Sequence, residues 1–316
     1  MITKQSVPSC LSGPYCRLDE LIRLQLNVRN FALRKNKNAN ALQAGDHQSR
    51  IRGRGINFEE VRHYQPGDDV RNIDWRVTAR TQKTHTKVFS EEKEQPVFII
   101  VDQRLSLFFG SRICYKSVMA AQLASMIAWA TLQNNDRVGG LVFNDDKQTE
   151  IKPRKHRNAV LKLLKSIEDY NNVLSIKNNT PVSEDGLNNA LLLCSKAAKS
   201  GARIFILSDF YGVDEQTEKC IQQLARHHQI TSCLVYDHFE TTLPEQDGVH
   251  ISDGLTTLSL SVNDQKRRQK YQEIWRTKVN FLEEIHRKNA LCFIKAECAD
   301  DPYKILTRFA IDGRKV

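Results

Sequence analysis

Apolar positions in the middle of the chain follow two alternating periods. From about residue 96, short and wholly apolar runs ("VFIIVD", "RVGGLVF", "RIFILSDF", "TSCLVYD") are separated by longer stretches with helical spacing. The first of these, "YKSVMAAQLASMIAWATLQ", places Met119, Leu123, Met126, Ile127 and Ala130 on one helical face. It is followed by "NAVLKLLKSIEDY", "LNNALLLCSKAAKS" and "EQTEKCIQQLARHH". Strands apolar on both faces and separated by helices predict a mostly parallel sheet covered on both sides. The expected core is therefore a doubly wound α/β domain over 96–237.

The pattern changes on either side. Residues 17–35 read as a helix and 36–50 as a polar, Asn-rich linker, so 1–50 forms an N-terminal extension. Residues 51–95 read as strands and turns punctuated by Gly53, Gly55 and Gly67. At the other end, "HISDGLTTLSLSV" alternates like an edge strand or hairpin, 264–289 is a long charged helix, and "LCFIKAE" is a last strand before a short helix from "DPYKILTRF". This segment, 238–316, is expected to pack on the N-terminal segment as a satellite lobe or sheet extension.

Composition narrows the class. With 316 residues and 40% hydrophobic content the chain can bury a substantial core. Its apolar stretches are too short or too interrupted to span a bilayer, and "MITKQSVPSC" lacks the apolar centre of a signal peptide. A cytoplasmic location is expected. The eight cysteines fit it, because they are scattered without a Cys-x-x-Cys pair, which disfavours a zinc finger or a disulfide scaffold. The formal charge of +10 admits nucleic acid, acidic proteins or membrane surface as partners. The basic runs "NVRNFALRKNKN", "RIRGRG", "KPRKHR" and "QKRRQK" lack the interleaved aromatics of a single-strand binder and read first as solvated faces.

In an open α/β sheet, sites form outside the carboxyl ends of the strands. Asp102 ends "VFIIVD", Asp209 follows "RIFILS", and Ser106 lies four residues after Asp102. Converging oxygens of this kind suit magnesium or manganese, but strand-end acids also serve as helix caps and loop anchors, and spacing leaves both readings open. Enzyme motifs are lacking: there is no Gly-x-x-x-x-Gly-Lys-Ser/Thr, His-Glu-x-x-His or Gly-x-Ser-x-Gly. His227-His228 closes an expected helix, where positive charge is favourable.

The densest chemistry lies in "VRHYQPGDDVRNIDWRVTAR", residues 61–80. Pro66 and Gly67 suit a tight turn. Asp68, Asp69 and Asp74 stand within a few residues of Arg62, Arg71, Arg76 and Arg80, so bidentate carboxylate–guanidinium pairs are expected to lock the segment beside Trp75. The leading reading is a structural clasp, and a docking surface is compatible with it.

These residues also carry a family resemblance. Gly53, Gly55, Phe58, Arg62, Tyr64, Gly67, Asp68, Asp69, Arg71, Ile73, Asp74, Trp75, Ala79 and Arg80, followed by a strand ending in Asp102, resemble the bacterial family called domain of unknown function 58. The resemblance implies a von Willebrand factor A-like domain with a metal-ion-dependent adhesion site built from Asp-x-Ser-x-Ser, a Thr and a later Asp. It also implies work as a partner-binding adaptor for MoxR-type AAA+ ATPases in assembling or maturing other proteins, without catalysis.

The chain departs from that pattern where metal would bind. The run is Asp102-Gln103-Arg104-Leu105-Ser106, so Arg104 replaces the first serine. A possible ligand has become a permanent cation without a lone pair. For the Thr position the sequence offers Thr180 and Ser183 without a decisive spacing. The expectation is a degenerate site in which Arg104 takes the cation's place; if Arg104 points outward, Asp102, Ser106 and Asp209 remain for a weakly held ion. A basic nucleic-acid binder and a metal-dependent hydrolase using Asp102 and Asp209 are the alternative functions.

Overall fold

The computed structural model describes residues 10–29, 31, 56–91, 95–175, 183–243, 249–252, 257–260 and 265–311. The Asn-rich stretch 36–50, Gly53, Gly55 and Thr180 lie outside these residues. The chain divides into two units, residues 1–39 with 95–316, and residues 40–94.

The larger unit opens with α1 (Leu18–Arg23), which passes into a 3-10 turn, Leu24–Leu26. This is shorter than the helix expected over 17–35. The smaller unit pairs β1 (Ile56–His63) antiparallel with β2 (His85–Glu91), and carries a 3-10 turn, Val70–Asn72, and α2 (Trp75–Thr81) between them.

The chain then enters the main sheet with β3 (Val97–Asp102), α3 (Lys116–Gln133), β4 (Val138–Phe143) and β5 (Gln148–Arg154). After α4 (Arg157–Asn171) and α5 (Gly186–Ala197) come β6 (Arg203–Ser208), α6 (Glu215–Ala225), β7 (Gln229–Tyr236) and the short α7 (His238–Thr241). A hairpin of β8 (Val249–Ser252) and β9 (Thr257–Leu260), then α8 (Gln265–Lys288), β10 (Cys292–Glu297) and α9 (Pro302–Ile311) complete the described elements.

Six strands form the sheet in the order β10-β7-β6-β3-β4-β5, parallel throughout except for β5. This is the doubly wound α/β sheet expected of a von Willebrand factor A-like domain. β3 explains the two-sided burial. Val97, Ile99 and Val101 pack with α3 and α4, while Phe98 and Ile100 pack with α5, α6 and α8, as the period of two in a strand requires.

One strand differs from the sequence reading, and another extends the main sheet, one of the two arrangements expected of the C-terminal segment. β5 was not anticipated, because "QTEIKPR" buries only Ile151 and its Pro153 suits an edge strand that carries no apolar run. β10 joins the main sheet beside β7, with the 24-residue α8 as the crossover that a parallel pair needs. The α/β unit therefore runs well past residue 237.

α3 is buried from Lys116 to Thr131 on every side, not along one face. Its polar residues hold the N-terminal segment. Leu11 N–H donates to Gln122 Oε1 at 2.6 Å, and Ser125 Oγ and Trp129 Nε1 both donate to the Leu21 carbonyl, at 2.7 and 3.3 Å. Phe31 meets Tyr303 of α9 edge-on at 6.3 Å.

Candidate functional site

β3 lies between β4 and β6, so the strand order reverses at β3 and the crevice beyond its carboxyl end is the switch point of the sheet. The register sets Val101 against Leu207, which brings Asp102 and Ser208 side by side. Ser208 Oγ donates to Asp102 Oδ2 at 2.6 Å. Asp209 follows directly, and both carboxylates are buried.

Arg104 points inward and has no exposed surface. Its Nε lies 3.1 Å from each oxygen of Asp102, and its Nη2 donates to Asp102 Oδ2 at 2.8 Å while standing 3.9 Å from Asp209 Oδ1. Nη1 donates to the carbonyls of Ser183 and Tyr211, at 2.9 and 3.2 Å. The turn after β6 makes the second of these contacts possible. Phe210 has φ 53 and Gly212 φ 73, and a Cβ on Gly212 would meet the Glu184 carbonyl at 2.7 Å. A left-handed bulky residue costs roughly 1–2 kcal/mol, which the surrounding contacts offset.

A second cation completes the cluster. Lys116, the first residue of α3, is buried, and its Nζ donates to Asp209 Oδ2 at 2.9 Å and Glu240 Oε1 at 2.8 Å. Asp145, in the β4–β5 turn, accepts from the amides of Leu105 and Ser183, both at 2.8 Å, and so ties two loops together beside Arg104. Asp237, after β7, accepts from both the amide and the hydroxyl of Ser111.

Burial is the largest influence on Asp102 and raises its pKa, with Arg104 offsetting this in part through charge and hydrogen bonds. The side-chain groups bonded to it all donate, so at neutral pH the carboxylate is the ionised partner of the guanidinium. Burial also pushes Asp209 upward, but Lys116, Lys278 and Arg104 together outweigh it and hold this carboxyl well below the ordinary range. Burial opposes the charge on Lys116, and the carboxylates of Asp209 and Glu240 override it, keeping the ammonium protonated beyond the usual lysine range.

In the smaller unit the acids are spent differently from the expected clasp. Arg62 Nη2 donates to Asp68 Oδ1 at 2.8 Å, and Asp68 Oδ2 accepts from the Gln65 amide at 2.9 Å, closing the turn that Gly67 permits with φ 108. Asp69 accepts from the Arg71 amide, and Asp74 caps α2 by accepting from the amides of Arg76 and Val77 at 3.1 and 3.2 Å. Local side-chain-to-backbone bonds have taken the place of bidentate ion pairs. Tyr64 joins through its amide, which donates to the Thr84 carbonyl at 2.9 Å. Arg71, Arg76 and Arg80 pair with no carboxylate among the described residues, and Trp75 is 69% exposed. Asp74→Ala is expected to speed hydrogen exchange at the Arg76 and Val77 amides while leaving the main-sheet amides unchanged, as measured by amide-resolved exchange.

A family-wide sequence model described as "Protein of unknown function DUF58" matches residues 60–280, from the signature segment into α8. The chain belongs to the DUF58 family. Two relatives, Uncharacterized protein Rv1480 of Mycobacterium tuberculosis and Uncharacterized protein Mb1516 of Mycobacterium bovis, are each 28% identical over 235 residues, covering 73% of this chain and 71% of theirs. Among solved structures, BatB from Bacteroides thetaiotaomicron overlaps 69% of this chain and 98% of its own at 13% identity and a TM-score of 0.43. The SpRpn10 VWA domain overlaps 71% and 100% at 12% identity and a TM-score of 0.39.

The residues of this DUF58 chain do not fit a divalent ion between Asp102 and Asp209. Such an ion needs about six oxygens at roughly 2.0–2.6 Å. Here a guanidinium stands between the two carboxylates and an ammonium holds Oδ2 of Asp209, so both acids are already neutralised by side-chain cations. Ser183 contributes its carbonyl to Arg104, not a hydroxyl to a metal.

The sequence reading missed Lys116 and Glu240. Lys116 had a visible signal, because a lysine in the first turn opposes the helix dipole and here opens an otherwise apolar helix, an arrangement that calls for a buried anion. Glu240 had none, since its partner is more than a hundred residues away in sequence.

Proposed function

We propose that this DUF58 protein is a noncatalytic, cytoplasmic, protein-binding adaptor that works with a MoxR-type AAA+ ATPase in the assembly or maturation of other proteins. Its switch-point crevice is a degenerate metal-ion-dependent adhesion site, and the carboxyl edge of the sheet is its docking face. The observation that carries the reading is the saturation of Arg104, whose guanidinium binds Asp102, leans on Asp209 and spends its remaining donors on two carbonyls. A catalytic carboxylate needs a substrate within reach and a proton to exchange. Asp102 and Asp209 are buried and charge-paired, which favours a fixed scaffold over a hydrolase. The ATPase partnership rests on the family resemblance.

Sedimentation velocity of the chain mixed with the MoxR-type ATPase from the same genome, with and without ATP, tests the partnership. A faster, nucleotide-dependent species is expected. Only free components in both runs would remove the adaptor reading and bring forward the nucleic-acid alternative, which predicts a complex that weakens steeply with salt.

A further inference from the structure

The smaller unit presents a surface that the Asp102–Arg104 site does not account for. In α2 the exposed positions are Trp75, Arg76, Ala79, Arg80 and Thr81, of which the first four form one stripe at i, i+1, i+4 and i+5, while Thr78 faces the hairpin and accepts the His85 amide at 3.0 Å. The preceding 3-10 turn exposes Val70, at 61%, and Arg71. The three acids beside the stripe each make a local bond, and Asp69 stays exposed. Asp68 closes its turn with Arg62, Asp69 caps the 3-10 turn, and Asp74 caps α2 and meets Lys87 Nζ at 3.5 Å. What faces solvent is an indole flanked by arginines without carboxylate partners among the described residues.

We infer that this stripe is a docking surface for an acidic segment of a partner protein, with Trp75 as the apolar anchor and Arg71, Arg76 and Arg80 receiving carboxylates. Trp and Arg dominate protein-binding hot spots, and an arginine fork pairs with a carboxylate through two hydrogen bonds. Nucleic acid is the weaker fit. Residues 56–91 carry six acidic and six basic side chains, and only three of the basic ones, Arg71, Arg76 and Arg80, lie on the stripe, so this stretch is balanced in charge, unlike the net positive track that a phosphate backbone follows. The inference is independent of the ATPase reading, and its test leaves the ATPase out.

The probe is a fluorescein-labelled synthetic peptide of alternating Glu and Leu, titrated with the full chain by fluorescence anisotropy at low salt. A mixed-sequence single-stranded DNA oligonucleotide is run in parallel. Binding of the peptide is expected, with Trp75→Ala weakening it about thirtyfold and the combined Arg71→Glu, Arg76→Glu and Arg80→Glu variant abolishing it. The triple variant should instead take up a Lys–Leu peptide. All four positions are exposed, so unchanged circular dichroism is expected to show that the variants fold. No binding of the Glu–Leu peptide, or binding that survives both variants, overturns the proposal. DNA binding lost in both variants overturns it in favour of nucleic acid.

Discussion

Arg104→Ser is expected to cost about 3–5 kcal/mol of folding stability in urea unfolding at neutral pH without divalent ions. The guanidinium neutralises Asp102 at 2.8 Å and stands between it and Asp209, and neither carboxylate has solvent to turn to. Removing it strands the Asp102 charge in a dry crevice, Asp209 keeping Lys116 as its partner, and removal of one partner is the costly way to break a buried pair. The same substitution restores the hydroxyl of the metal pattern that the family resemblance implies. Magnesium or manganese should therefore return part of the lost stability to the variant through ligand linkage, and should leave the unsubstituted protein unchanged. A loss below about 1 kcal/mol would show that the crevice rehydrates freely and that Arg104 is no substitute for a cation.

Lys116→Met should be comparably damaging, with a distinctive pH profile. The substitution keeps most of the volume and removes the charge that holds Asp209 and Glu240 together. Asp209 has a depressed pKa in the folded protein, so its stabilising contribution is present above its unfolded value of about 4 and is lost as pH falls through the folded value. Without the ammonium that contribution shrinks or reverses. The difference in urea midpoint between the two proteins should thus be largest near neutrality and narrow in acid. At the alkaline end the sign is opposite. The folded pKa of Lys116 is raised, so its contribution is complete below about 10.5 and fades as pH rises through the folded value. Midpoints measured across the acid range decide the matter, and a constant difference would mean that Lys116 acts only by packing.

How much of this was legible depended on whether the deciding interaction was local. β3 and β6 could be read from their runs because both faces of each are buried, and Asp102 and Asp209 fall where these parallel strands end. β5 was illegible for the converse reason, an edge strand with one buried residue. The direction of Arg104 is set by three loops, at 183, 209–212 and 145, and no spacing within "DQRLS" reports on loops brought together by the sheet. In the signature segment the composition was clear and the pairing was not. Amides two or three residues away reached Asp69 and Asp74 before any guanidinium did, because a short-range bond orders fewer side-chain rotors than an ion pair with arginine.

The positive charge at the switch point belongs to a residue two positions from the carboxylate it neutralises. Covalent attachment fixes its local concentration, so dilution does not deplete it, a chelator does not extract it, and a change in cellular magnesium does not alter its occupancy. A docking face shaped by a diffusible ion can be loaded and emptied. Under the adaptor reading proposed above, this one is set once, when the chain folds, and stays set until it unfolds. Control over what binds there would then fall to the partner, whose own state has to supply the timing.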